Sequence, residues 1–443
     1  MATITGAIAQ VNLHLQELVP ESLVDQTLRQ SPRKFRRRVL PPVVTIHLLL
    51  LQLLYQVALQ GLRHLTTVPA SASAICQAWI RLPLSVFYQV VEQATAELRR
   101  RAQVLGVSAE QGFGGLRIVL LDAMSFHTQD TPELARRYRQ GGNQHKRRLG
   151  YPVPKILCLL DFASGMITRV IDLPAHRQEH RVLGRMLRVL AAGDLVRADR
   201  GLVSFGFLAQ LLARQAQACL RLPLYQLARA TGCRQILRTL GPDDHLVQWT
   251  KSKDRPASFS LTAWKALPDT LILRQIRYHL DQPGFRTKII TVITTLTDPV
   301  AYPADQIAAL YAKRWQIEVC FRSLKRTLGL NLRAARTLAG ARKELRGYVL
   351  VYNLLRLVML QAALARQVPW DRIGFKDALL WLRHAADPQT ITRLLVNPRR
   401  RRPTEPRRRK SGRHRFPALK MTRQEYKRLL NSKEYEGKSN RAA

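Results

Sequence analysis

The sequence predicts a mixed α/β fold, and three observations carry that expectation. An apolar helical pattern fills residues 1 to about 110. After Gly112, Gly114 and Gly115 the pattern becomes strand, strand hairpin, helix, strand, helix, the order of a mixed sheet covered by helices. From Cys219 to about Val300 a second β-like stretch appears, and helical pattern returns at Pro303–Leu328 and Ala341–Leu364. Five segments result: a helical N-terminal domain (1–110), the first part of an α/β core (111–218), a β-rich insertion (219–300), the second part of the core (301–366), and a C-terminal helical segment with a basic tail (367–443).

Each element has its own signal. Ser31–Leu40 (SPRKFRRRVL) is a basic run, fit either to track phosphates or to stand as a solvated loop. Pro41 and Pro42 follow it and suit the opening turn of a helix. Val43–Gly61 is very apolar, with Gln52, Gln56 and Gln60 spaced as a polar stripe. Arg117–Asp122 (RIVLLD) reads as a buried strand ending in an acid. Lys155–Asp161 and Met166–Asp172 read as strands around a turn at Phe162–Gly165. Glu179–Leu190 is amphipathic, with Val182, Leu183, Met186, Leu187 and Leu190 on one side. Asp194–Asp199 is a short strand running into Arg200 and Gly201, and Phe205–Gln217 is a helix. Leu246–Thr250, Leu271–Tyr278 and Lys288–Thr297 have strand composition.

Charge narrows the function classes. With 72 Lys and Arg against 30 Asp and Glu, the net charge is +42, a field that repels itself unless a polyanion is the working partner. Residues 395–443 hold 17 basic and 4 acidic side chains, so the other +29 is spread over the body. The basic residues do not form one amphipathic helix with a Trp/Phe face, which argues against a membrane surface as the polyanion. Tyr348–Leu364 has the length of a bilayer span but contains Asn353 and Arg356, which favours a buried core helix, as the glutamines do for Val43–Gly61. Five cysteines without metal-ligand spacing fit reduced thiols in a cytoplasmic protein. The N-terminus lacks the order of a signal peptide.

The most informative segment is residues 311–325, YAKRWQIEVCFRSLK. At about 100° per residue, one continuous helix would bring Tyr311, Arg314, Glu318 and Lys325 within roughly 60° of each other. Leu310, Ile317, Phe321, Leu324 and Leu328 would form an anchoring stripe beside them. Upstream, Asp122 and Asp199 each end an expected strand. Three carboxylates converging from two strands and a helix would repel each other unless they held a divalent ion. Mg²⁺ accepts such ligands together with water and phosphate oxygens. Other residues invite weaker readings: His127 and His145 lack paired ligand spacing, Ser125, Ser204 and Cys320 lack an adjacent base, and Gly141-Gly142 is only a turn.

These residues together resemble a known family, the DDE transposases of bacterial insertion sequences, of the insertion-sequence-four type. Tyr311, Arg314, Glu318 and Lys325 match the family's Tyr-x2-Arg-x3-Glu-x6-Lys signature without gaps; Asp199-Arg200-Gly201 matches its second acid, and Asp122 its first, although Ala123 stands where Gly is frequent. The resemblance covers roughly residues 30–400. It implies a ribonuclease-H-like catalytic core interrupted by a β-strand insertion domain. It implies further that Asp122, Asp199 and Glu318 bind two Mg²⁺ ions, with Mn²⁺ as a substitute. Tyr311, Arg314 and Lys325 would hold phosphates of a transposon end, with Arg200 in the second-acid motif, and Trp315 would lie against the DNA end or pack in the core. Trp249 and Trp264 are candidates to stack on an extruded base, with packing of the insertion's own core as the competing role. The implied partner is double-stranded DNA, at transposon ends and target, with a homodimer in the DNA complex. The alternatives are a metal-dependent nuclease without strand transfer and a non-catalytic DNA-binding derivative.

Overall fold

Strand β1 (Arg117–Ser125) organises the sheet because it is apolar on both faces. Ile118, Leu120 and Met124 enter one core and Val119 and Leu121 the other, all of them buried. Such a strand needs a covering layer on each side. Strands β2 (Pro154–Asp161) and β3 (Ile167–Pro174) form an antiparallel hairpin beside it. Strands β4 (Asp194–Ala198) and β5 (Gln217–Arg221) extend the sheet in parallel on its other side. Strands β6 (Arg234–Gly241), β7 (Asp244–Thr250), β8 (Thr270–His279) and β9 (Ile289–Thr294) make an antiparallel meander, joined through β9 to β5. The nine strands lie in the order β3-β2-β1-β4-β5-β9-β8-β7-β6. The structure, a computed structural model, describes residues 4–398 apart from 33–34, 36–38, 107–112, 139–150, 176–178, 224–233, 280–288, 314–315, 331–334 and 386.

Helices cover both faces. On one lie α1 (Ile4–Leu18), α2 (Glu21–Arg29), α3 (Pro42–Tyr55), α4 (Ala72–Arg81) and α5 (Leu84–Val104), with α6 (Pro132–Tyr138) near the hairpin. On the other lie α7 (His180–Leu187) and α8 (Phe205–Leu212), which bury Val182, Leu183, Met186 and Leu187 and the apolar side of α8. The short α9 (Leu261–Lys265) seats Trp264 against Phe205 and Phe259. The first face is completed by α10 (Ala304–Ala312), α11 (Gln316–Arg322), α12 (Leu338–Ala365) and α13 (Phe375–His384).

Several expected boundaries move, for physical reasons. Strand β1 runs past Asp122 to Ser125, because Ala123, Met124 and Ser125 keep pairing with Leu157, Ile156 and Lys155 of β2. Asp122 therefore sits inside the strand. Helix α8 stops at Leu212, and Gln215 takes a left-handed turn at φ 56° before β5 begins. The segment boundary drawn at residue 218 thus falls within β5, and β9, expected in a separate insertion, hydrogen-bonds to β5 and continues the core sheet. Helix α3 ends at Tyr55 with Gln56 left-handed at φ 57°, and Gln60 lies in a following 3-10 turn, so the three glutamines do not make one stripe.

Helix α12 is long and apolar enough to cross a bilayer, yet 83% of its apolar window is buried inside the protein. Its polar residues have dedicated partners. Asn353 accepts from Ile167 N and donates to Ile167 O, both at 2.8 Å, which satisfies an edge-strand backbone that water does not reach. Arg356, fully buried, donates to Tyr352 Oη at 2.8 Å and lies 4.7 Å from the Trp370 ring centre. Near the start of the helix, burial pushes the Glu344 carboxyl up to about 8 against a hydrogen bond from Ala335.

Two outcomes are expected. Asn353→Leu leaves the Ile167 N–H and C=O buried without partners, at a cost of about 1–3 kcal/mol for each group; an unchanged midpoint in chemical denaturation would contradict this. Glu344 holds its proton in the folded state over a range where the unfolded chain has lost it. Stability contributed at this site therefore falls as pH rises from about 4.5 to about 8. Glu344→Gln is expected to melt higher than the parent at pH 8 and no higher at pH 4.5, read by thermal unfolding across that range.

Candidate active site

The site begins with the register of β1 against β4. The two strands pair in parallel from Arg117↔Asp194 to Leu121↔Ala198. One step further along both strands come Asp122 and Asp199, so the two acids stand abreast where the parallel pairing ends. Alternation fixes their direction. Leu120 and Met124 flank Asp122 on the face covered by α10–α12, and Leu195 and Arg197 precede Asp199 on the same face. Helix α11 packs on β1 across this face. It is anchored by buried Ile317, Cys320 and Phe321, which leaves Glu318 exposed.

The expected anchoring stripe is present: Leu310, Ile317, Phe321, Leu324 and Leu328 are all buried. The expected single polar face falls partly outside the described residues. α10 ends at Ala312 and α11 begins at Gln316, and a constant 100° step holds only within one helix. Tyr311, near the end of α10, is buried, so its phenol is not offered on the surface beside Glu318. Arg314 and Trp315 lie outside the described residues, as do His145, Gly141-Gly142, Cys233 and the basic tail. Arg200 is exposed in the 3-10 turn Arg200–Leu202 immediately after Asp199.

Lys325 sits in a π turn, Ser323–Thr327, closed by a bond from Leu328 N to Ser323 O at 2.9 Å. Such turns concentrate at functional sites. Its ammonium lies 5.0 Å from the Phe126 ring centre, one residue past the end of β1. Burial pulls Lys325 below the ordinary lysine range, while the Cys158 thiol works the other way. Cys158 is the direct cross-strand partner of Asp122. Burial pushes its thiol up, the Asp122 charge adds to that, and Lys325 opposes both. Asp122, Cys158 and Lys325 therefore form one electrostatic neighbourhood on the acid face.

Two supports of this face were not legible in the sequence. Arg197, fully buried, donates from Nη1 to the Leu310 carbonyl and lies 4.5 Å from the Phe162 ring centre, tying β4 to α10. Gln56 donates to the carbonyls of Leu328 at 2.5 Å and Thr327 at 3.3 Å. Gly329, at φ 72°, makes room for it: a Cβ there would stand 2.6 Å from the Gln56 amide nitrogen. The π turn is thus fixed from outside by the end of α3. Only the backbone conformation of Gln56 enables that reach, and nothing in the composition announces it.

The acids suit a hard divalent cation by their chemistry, all being carboxylate oxygens. Among the described residues Asp199 Oδ1 is buried without a hydrogen-bond partner, an acceptor open to a ligand. Asp122 Oδ1 accepts from Ala123 N at 2.8 Å. Among the described residues no three acidic, histidine or cysteine side chains gather closely enough to hold one ion. The strand register and α11 bring the three carboxylates to one face without drawing them to a point.

The remaining candidates have structural roles. Trp249 and Trp264 both pack edge-on against Phe205 of α8, and Trp264 is buried. Ser204 caps α8 by accepting from Phe207 N at 3.3 Å. Cys320 is buried beside Arg356, whose Nη2 lies 3.3 Å from its sulfur.

Comparison with known proteins agrees with the site's composition. A family model described as the transposase DDE domain matches residues 113–354. The chain is 26% identical over 334 residues to the transposase InsG of insertion sequence element IS4 from Escherichia coli K12, covering 73% of this chain and 70% of that protein. Among solved structures, a piggyBac transposase synaptic complex with hairpin DNA aligns over 86% of this chain and 81% of the other, at 9% identity and a TM-score of 0.45. With more than half of its length matched by the family model, the chain belongs to the transposase DDE-domain family.

Proposed function

We propose that the protein is a cytoplasmic DNA transposase that binds the terminal inverted repeats of its own element, cleaves there, and joins the resulting 3′-hydroxyl end to target DNA. The observation that carries this reading is the pairing of β1 with β4, which sets Asp122 beside Asp199 on the face covered by the helix of Glu318. The strand order β3-β2-β1-β4-β5, with the hairpin antiparallel and the last two strands parallel to β1, supports a ribonuclease-H-like core. The five-segment division remains part of the proposal, with the N-terminal helices as a DNA-binding domain and β6–β9 as an insertion docked on the core edge.

In this reading Asp122, Asp199 and Glu318 would hold Mg²⁺, or Mn²⁺ in its place. A divalent ion supplies Lewis acidity at phosphorus and lowers the pKa of an attacking water or hydroxyl. The chain's own part is placement. Asp122 is held by its pairing with Cys158 of β2, one step past the end of the β1–β4 pairing, Asp199 by the turn that follows β4, and Glu318 by the buried side of α11. Closure of Glu318 onto the aspartates accompanies binding of the DNA end. Lys325 and Arg200 flank the acids and contact phosphates, Lys325 as a point charge, with Arg314 and Trp315 as further contacts from the segment between α10 and α11. Tyr311 supports that segment from beneath. Pairing of two transposon ends calls for a homodimer in the DNA complex.

Two measurements test the proposal. Glu318→Gln removes a charge while keeping the shape. Cleavage of a labelled transposon-end duplex is expected to fall by about 10²-fold or more, with end binding kept in a gel-shift assay; cleavage at the parental rate would sink the reading. The second concerns Lys325, whose depressed pKa means that it loses its proton at lower pH than an ordinary lysine at about 10.4. Its contribution to end affinity, taken as the difference between parent and Lys325→Gln, is expected to shrink as pH rises below that value. Lys325→Arg, always charged, should flatten the profile, and the same pH dependence in all three proteins would remove Lys325 from the contact set.

A further inference from the structure

A cleft of about 440 Å³ opens between α5, β3 and α12; its β3 wall, Ile167–Asp172, lies two strands over from β1 and in register with Leu120–Met124, and Arg117 closes it at the start of β1. Six arginines line it: Arg99, Arg117, Arg169, Arg185, Arg342 and Arg346. They come from five separate elements, so no single basic helix or loop accounts for the cluster. Carboxylates match only some of them. Arg117 pairs with Asp194 at 2.7 Å, Arg169 with Glu92 at 2.5 Å and Arg342 with Asp172 at 3.0 Å. Among the described residues, Arg99, Arg185 and Arg346 have no carboxylate within ion-pair distance.

Two of the unmatched groups, Arg99 and Arg346, are partly buried, and Arg185 is exposed at the rim. Arg346 lies 3.4 Å from the Tyr88 ring centre, and its Nη1 is buried without a hydrogen-bond partner. Burial pulls both Arg99 and Arg346 below the ordinary arginine range, and Arg117 acts on Arg99 in the same direction. Holding guanidinium groups partly out of water and beside one another costs free energy that a bound anion would offset. Planar forks converging on one concavity match the tetrahedral oxygens of phosphate better than a single carboxylate. Within the cleft Arg117 lies five residues from Asp122, about 16 Å along β1, while Arg169 and the Asp172–Arg342 pair lie two strands over from the Asp122 stretch.

We propose that this cleft is a phosphate-binding site, and that it grips the sugar–phosphate backbone of duplex DNA away from the bond being cut. The identity of the phosphate as DNA rests on the transposase reading above; the existence of the site does not. A free phosphate compound offers the same chemistry, and the test separates the two sources.

The full-length chain is compared with Arg99→Gln, Arg346→Gln and Arg185→Gln, the last an exposed rim residue on α7 whose loss leaves the core untouched. In metal-free buffer, inorganic pyrophosphate should raise the melting temperature of the parent, and the rise should be reduced in each folded variant. In parallel, affinity for a duplex is measured against salt. Each lost contact should lower the slope of log affinity against log salt by about 0.9. Both effects together support a DNA-backbone site. A reduced pyrophosphate shift with an unchanged slope supports the phosphate site and assigns it to a free phosphate compound. Parental behaviour of folded Arg185→Gln and Arg99→Gln in both measurements overturns the proposal. Failure of the transposase reading would show instead as full cleavage by Glu318→Gln, and leaves the pyrophosphate measurement unaffected.

Discussion

The structure depends on one register. Arg117 and Asp194 face each other across β1 and β4, and their side chains meet through two bonds of 2.7 Å, Nε to Oδ1 and Nη2 to Oδ2. Asp194 is buried, so this forked pair forms where a mismatch would leave a charge without a partner. Five residues later on both strands stand Asp122 and Asp199. The ion pair at one end and the two acids at the other are therefore set by the same alignment. A slip of one residue would turn Asp199 toward α7 and α8 and leave Asp122 alone, since side chains alternate between faces.

Placing two carboxylates abreast is unfavourable without positive charge nearby, and the acid face shows how the fold manages it. Arg197, two residues before Asp199 on the same face, is a fully buried cation held by a carbonyl and a phenyl ring. Lys325 is brought to the Asp122 side by a π turn that Gln56 and Gly329 secure. Arg197 is fully buried and Lys325 partly so. In the proposed reading a phosphate approaching this face would meet Lys325 and Arg200, while among the described residues Asp199 Oδ1 lacks a donor. That residual demand is what distinguishes the arrangement from a satisfied salt-bridge network.

Much of this was legible in the sequence because it follows from alternation and helical period. RIVLLD and KILCLLD can only be two-faced buried strands, and the five apolar residues of Glu179–Leu190 can only be one side of a helix. That Asp122 and Asp199 fall at or near the ends of neighbouring strands and that Glu318 rides on a helix was legible for the same reason. What escaped was set by backbone conformations that residue type does not encode. Gln56 and Gln215 are left-handed without being glycine or asparagine. These two residues end α3 and separate α8 from β5, respectively. The apolar period expected from Pro303 onward holds in both described helices, with Leu310, Ile317 and Leu324 all buried. The arginine cleft was invisible for another reason, since its members are spread from residue 99 to residue 346 and only tertiary packing unites them.

Arg117 belongs to both halves of the picture, pinning the register through Asp194 and lining the cleft. About 16 Å of strand separates it from Asp122, more than the Debye length of about 8 Å at physiological salt. A phosphate in the cleft would thus have little direct electrostatic effect on the acids through solvent. The connection between the two places is mechanical. β1 is paired with β2 and β4 and buried on both faces, so it fixes the spacing between Arg117 and the carboxylates. In the proposed reading, a phosphate held at Arg117 would stand at a fixed distance from the acids. Positioning of this kind needs no contact between the sites, only a strand whose register cannot drift.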